Sequence, residues 1–106
     1  MSATRGGREQ TTIRVRAAGQ DDPSIFEVVL QDAAGETQYR VSMSKKDRES
    51  LCRNMTPETC VRATFLFLLD REPKESILSR FDISVVGLYF PEFAAELPKY
   101  LDTLNA

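Results

Sequence analysis

Two cysteines, a short run of carboxylates among basic side chains, and a complete lack of histidine bound the chemistry open to this chain. Without imidazole there is no ordinary general base near neutral pH, no zinc-binding histidine and no Ser-His or Cys-His nucleophile. What remains is carboxylates, lysines and the thiols of Cys52 and Cys60. The two thiols match no Cys-x-x-Cys spacing and supply too few ligands for a structural zinc, which takes about four. They are expected to be reduced, structural residues, and an apolar helix around Cys60 would raise its pKa rather than activate it. Asp70, Glu72 and Glu75 lie close to Arg71 and Lys74 in "DREPKES". Paired carboxylates can do acid-base work, but alternating signs read more simply as a solvated, mutually neutralised corner between helices. Gly6-Gly7 has no Lys-Ser/Thr after it, so there is no phosphate-binding loop. The chain is read as non-enzymatic, with no catalytic residue, no cofactor and no metal site.

The elements that must carry any other function are more legible. At 106 residues there is room for one domain, and 42% hydrophobic with 28% charged residues is the composition of a globular chain. Residues 1–10, "MSATRGGREQ", are polar and aperiodic and are expected to be a flexible tail, leaving 11–106 as a single α+β domain. The tail has no apolar signal-peptide core, and the run from Phe65 to Leu69 is far short of the roughly 20 residues of a membrane span. A cytoplasmic protein with no membrane association is the expectation.

From Thr11 apolar residues recur every second position, the period of a half-buried strand. Ile13 and Val15 alternate with Arg14 and Arg16. Phe26, Val28 and Leu30 share a face opposite Glu27, and after the "DAAGET" turn Tyr39, Val41 and Met43 do the same opposite Arg40. The three runs predict a three-stranded antiparallel sheet, a β-meander. Ser44, with Asp47 three residues on, predicts a short helix to about Asn54. Thr56 as N-cap, Pro57 in the first position and Pro73 beyond the end predict a helix over 57–71. Positions 60–69 hold only Arg62 and Thr64 as polar residues, so this helix must be covered on several sides. It is expected to be the central buried helix, with a C-terminal helical layer that together with it covers one face of the sheet. Ile77, Leu78 and Phe81 have helical spacing, Asp82 is placed to cap a following helix, and Phe93, Leu97, Tyr100, Leu101 and Leu104 form a last apolar stripe. Pro98 should kink or split that stripe.

Within 76–93, "SILSRFDISVVGLYFPEF", Ile83-Ser84 followed by Leu88-Tyr89 resembles the DNA-reading helix of the tetracycline-repressor family. The resemblance would imply a helix-turn-helix, but the residues contradict that role. Asp82 replaces the turn glycine, Val85, Val86 and Gly87 offer nothing to base edges, and 81–98 contain no Lys or Arg to neutralise phosphates. The segments "FLLDREP", "SIL", "FDISV" and "YFPEF" together resemble a group of small bacterial proteins of uncharacterised activity. That resemblance implies no reaction and no site residue.

With a net charge of −2 there is no global field toward nucleic acid, yet the charge is uneven along the chain. Residues 1–20 carry Arg5, Arg8, Arg14 and Arg16 against Glu9 alone, whereas Asp82, Glu92, Glu96 and Asp102 face only Lys99 after position 81. Two candidate partner-binding surfaces emerge by elimination. One is the solvent face of the sheet, where Arg14, Arg16 and Arg40 point outward against Glu27. The other is the C-terminal aromatic set Tyr89, Phe90, Phe93 and Tyr100, which is either core or an exposed interface. The expected function is a protein-interaction or regulatory domain with a protein partner, a second copy of the chain included. The alternative is nucleic-acid binding through the same arginines or through 76–93.

Overall fold

The fold is a computed structural model that describes residues 11–105, so the expected tail at 1–10 lies outside the described residues. Three strands, β1 (Thr12–Gly19), β2 (Ser24–Asp32) and β3 (Gly35–Met43), form the antiparallel meander. The β2–β3 hairpin closes at the pair Asp32 and Gly35 around Ala33-Ala34, with Gly35 at φ 133°, a backbone region that disfavours any side chain. Asp32 also accepts a hydrogen bond from the Ala34 N–H at 2.8 Å, which fixes the turn. Every residue assigned inward by its period, from Phe26 to Met43, is buried, while Val15 is half-buried at the edge.

Helix α1 (Lys45–Leu51) starts at Ser44, whose hydroxyl accepts from the Asp47 N–H, and α2 (Pro57–Leu69) starts at Thr56, whose hydroxyl accepts from the Thr59 N–H. Both caps are those expected. Helix α2 crosses the inner face of the sheet, with the Phe65 ring 5.3 Å from Tyr39, and is buried at Cys60, Val61, Ala63, Thr64, Phe65, Phe67, Leu68 and Leu69. The Thr64 hydroxyl donates back to the Cys60 carbonyl, so the one fully buried polar residue of this helix is satisfied within its own turn.

The sheet has a fourth strand that the apolar spacing did not indicate. Where a helix was expected through Ile77, Leu78 and Phe81, the chain makes a 3-10 turn at Lys74–Ser76 and then β4 (Arg80–Asp82), parallel to β3. The sheet is therefore mixed, in the order β1-β2-β3-β4. The reason lies in β3, whose Arg40 N–H and Ser42 carbonyl point away from β2 and need partners. Ser79 accepts from Arg40 N–H at 2.7 Å and Ile83 N–H donates to Ser42 at 2.8 Å. Two non-local bonds outweigh a weak local helical pattern.

Helix α3 (Ser84–Tyr89) follows β4, and α4 (Phe93–Asn105) packs across α2. Asp82 ends a strand rather than a helix, but it still serves the next helix, accepting from the Ser84 N–H at 3.1 Å and the Ser84 hydroxyl at 2.7 Å. Pro98 does not split the last segment, because α4 runs through it as one helix with Phe93, Leu97 and Leu101 buried against the core. Packing of that stripe outweighs the backbone hydrogen bond a proline forfeits. The region 76–93 holds a strand and one short helix, and so lacks the two helices a helix-turn-helix requires.

Cys52 and Cys60 are joined in a disulfide, with Cα atoms 5.3 Å apart, in place of the reduced thiols expected. The turn between α1 and α2 folds the end of one helix onto the first turn of the other; both cysteines are buried, with the Cys52 sulfur 3.8 Å from that of Met43. Eight residues of separation gave no sign of this proximity.

Candidate partner-binding face

The open face of the sheet brings the expected basic residues together. Register places Arg14 beside Val29, and Arg16, Glu27, Arg40 and Arg80 side by side in one row across β1, β2, β3 and β4. This row lies in an open concavity of ≈ 730 Å³ whose charged lining is Arg14, Arg16, Arg40 and Arg80 against Glu27. Glu27 pairs with both neighbours, receiving Arg16 on one oxygen and Arg40 on the other at 3.2 Å. Arg14 donates to Gln31 and Glu36 at 3.2 Å each. Arg80 has no ion pair among the described residues. One carboxylate shared between two arginines leaves donors on both guanidiniums unused, since each carries about five N–H groups. Arg80 is the member that periodicity missed, because it lies on the unexpected strand.

Around this row Ile25 and Val29 are half-buried and Gln38 is exposed, and two further carboxylates share the face, Glu36 paired with Arg14 and Asp82 bonded to Ser42. The single aromatic lining residue, Tyr39, points inward and is buried, its hydroxyl donating to the Lys74 carbonyl at 2.5 Å. Burial raises the Tyr39 pKa above its ordinary value. Beneath the sheet edge Lys74 is buried and paired with Asp32 at 3.4 Å and Glu75 at 2.8 Å. In the segment "DREPKES", read as a solvated and mutually neutralised corner, Lys74 is therefore the buried exception.

The carboxylates of that segment also diverge instead of converging on one point. Asp70 accepts from the Tyr100 hydroxyl at 2.6 Å, and Glu75 is held below its usual pKa first by its bond from Lys74. Glu72, pushed up by burial, lines a shallow groove of ≈ 30 Å³. Among the described residues there is no group of three or more potential metal ligands, and no helix long and apolar enough to cross a membrane.

The C-terminal aromatics divide. Phe90, Phe93 and Tyr100 surround Phe67 with ring centroids 5.8, 5.0 and 5.8 Å away, and the Arg71 guanidinium lies 3.7 Å from the centre of the same ring. Phe93 is 2% exposed, beyond the reach of a partner. Phe90 and Tyr100 are half-buried against the core, and Tyr89, 68% exposed next to Leu88 at 79%, lies on the surface.

Fold and face together describe an α+β domain with one sheet face sealed by helices and the other left open and arginine-lined. No family model, no curated protein and no solved structure matches the chain.

Proposed function

We propose that this domain is a non-enzymatic protein-interaction module that takes an acidic segment of a partner protein on the open face of its sheet. The observation that carries the reading is the row Arg16, Glu27, Arg40, Arg80, flanked by Arg14, inside one concavity. Such a row attracts carboxylates in register with the strands, at a spacing of about 4.8 Å from strand to strand. Single-stranded RNA is the weaker occupant, because sheet platforms for RNA stack bases on exposed aromatics and the aromatic side chain here faces the core. Cys52 and Cys60 as a disulfide favour an oxidising compartment over the cytoplasm expected from the lack of a signal-peptide core.

The test is titration of labelled oligoglutamate and of a single-stranded RNA oligonucleotide against the native protein and the variant Arg14→Gln/Arg16→Gln/Arg40→Gln. Salt-sensitive binding of oligoglutamate, lost in the variant while thermal unfolding is retained, is the expected result. Tighter arginine-dependent binding of RNA would transfer the face to nucleic acid. Binding of neither, or binding indifferent to the three arginines, rejects the reading.

A further inference from the structure

The backbone of β1 adds a second recognition element beside the arginines. The two-residue turn makes Asp32 and Gly35 a hydrogen-bonded pair, and such pairs alternate along an antiparallel ladder. Leu30, Val28 and Phe26 therefore direct their N–H and C=O groups to β3, and Gln31, Val29 and Glu27 direct theirs to β1. Their partners there are Thr12, Arg14 and Arg16. It follows that Ile13, Val15 and Ala17 turn their backbone groups away from the sheet. An independent contact agrees: the Arg62 guanidinium donates to the Ile13 carbonyl oxygen from outside the ladder. Among the described residues no strand pairs with this side of β1, so the outward groups of Val15 and Ala17 form an edge available for extension.

The side chains beside that edge choose the occupant. Arg14 and Arg16 stand on the open face, about one strand spacing of 4.8 Å from an added strand, while Val15 and Ala17 pack toward the core beneath the helices. A second copy of β1 is a poor fit. Antiparallel pairing centred on Arg14, on Val15 or on Arg16 sets an arginine directly opposite an arginine, and like charges so placed repel. An extended segment alternating acidic and apolar residues has the opposite character. Its carboxylates would lie opposite Arg14 and Arg16, and its apolar side chains would continue the inner face past Val15 and Ala17.

We infer that the acidic partner segment binds by strand addition to the outer edge of β1, extending the sheet while its carboxylates meet Arg14 and Arg16. This rests on the acidic-segment reading above and narrows its place from the whole open face to the β1 edge, where Arg14 and Arg16 make the contact and Arg40 and Arg80, on β3 and β4, lie too far away to do so. The probes are an eight-residue peptide alternating Glu and Val, matched to the 8 residues of β1, and a peptide of equal charge with Pro in place of Val, which cannot form a strand. Amide hydrogen exchange of the native protein is followed by NMR with each. Protection of the Val15 and Ala17 amides by the Glu-Val peptide alone is expected. Val15→Pro, which removes an outward N–H and leaves the ladder to β2 intact, should weaken that peptide by about tenfold or more. Arginine-dependent binding of both peptides with unprotected Val15 and Ala17 amides overturns strand addition and leaves the acidic-segment reading standing. Absence of arginine-dependent binding by either peptide overturns both. Should Val15→Pro fail to fold, the exchange pattern of the native protein decides the matter unaided.

Discussion

The Arg62 guanidinium, carried on the buried helix α2, donates to the carbonyl oxygen of Ile13 on the edge strand β1. It ties the N-terminal end of that strand to the helical layer and satisfies an acceptor that the ladder leaves unpaired. A hydrogen bond from a charged donor contributes about 1.5–3 kcal/mol when partly buried. Arg62→Met, which keeps the apolar stem, should lower unfolding free energy by roughly the lower part of that range and speed exchange near Ile13. Denaturant unfolding that is unchanged would show the bond to be incidental.

The disulfide between Cys52 and Cys60 closes a short loop, for which chain-entropy reasoning gives about 2–3 kcal/mol of stabilisation. Reduction, or the paired change Cys52→Ser/Cys60→Ser, should lower stability by that order while the sheet persists. Intact mass of the native protein with and without reductant checks the premise: the oxidised form is lighter by two hydrogens. Two alkylatable thiols in the purified native protein would remove it.

Asp82 joins β3, β4 and α3. Burial pushes its carboxyl upward, but bonds from the Ser42 hydroxyl at 2.6 Å and from the Ser84 hydroxyl and N–H outweigh this, leaving it below its ordinary value of 3.8. A carboxylate depressed in the folded state stabilises above its unfolded pKa, and the contribution is lost as pH falls through the folded value. Asp82→Asn should therefore cost about 1 kcal/mol at neutral pH, a figure reduced for partial exposure, and the gap from the native protein should close below about pH 3.8. A gap that is constant from pH 7 to pH 3 would assign the loss to shape rather than charge.

Removal of residues 91–106 takes away α4 and with it the buried Phe93, Leu97 and Leu101. At about 1.5–3 kcal/mol for each, the loss of roughly 5–9 kcal/mol matches the whole stability of a typical domain. It also strips the cover from Phe67. Cooperative thermal unfolding should vanish, and its survival would mark α4 as an appendage.

Much of this molecule is written locally in the chain. The period of two from Ile13 to Met43 determined the meander and sent Arg14, Arg16 and Arg40 to the same face as Glu27. Thr56 and Pro57 determined where α2 begins, and its nearly unbroken apolar run determined that it would be enclosed. These features depend on neighbours within a turn or a pleat, so spacing along the sequence carries them. Four others depend on contacts between separate elements. Arg80 joined the arginine row because free backbone groups on β3 drew 80–82 into the sheet. Lys74 became buried because the hairpin turn brought Asp32 to it. Phe93 became core and Tyr100 half-buried because α4 crosses α2 at Phe67, where Phe90 joins them from the end of α3, and that packing carried the helix through Pro98. Cys52 and Cys60 met because α1 folds back on α2. In each case the deciding free energy belongs to a contact between elements, and no periodicity within one element encodes it.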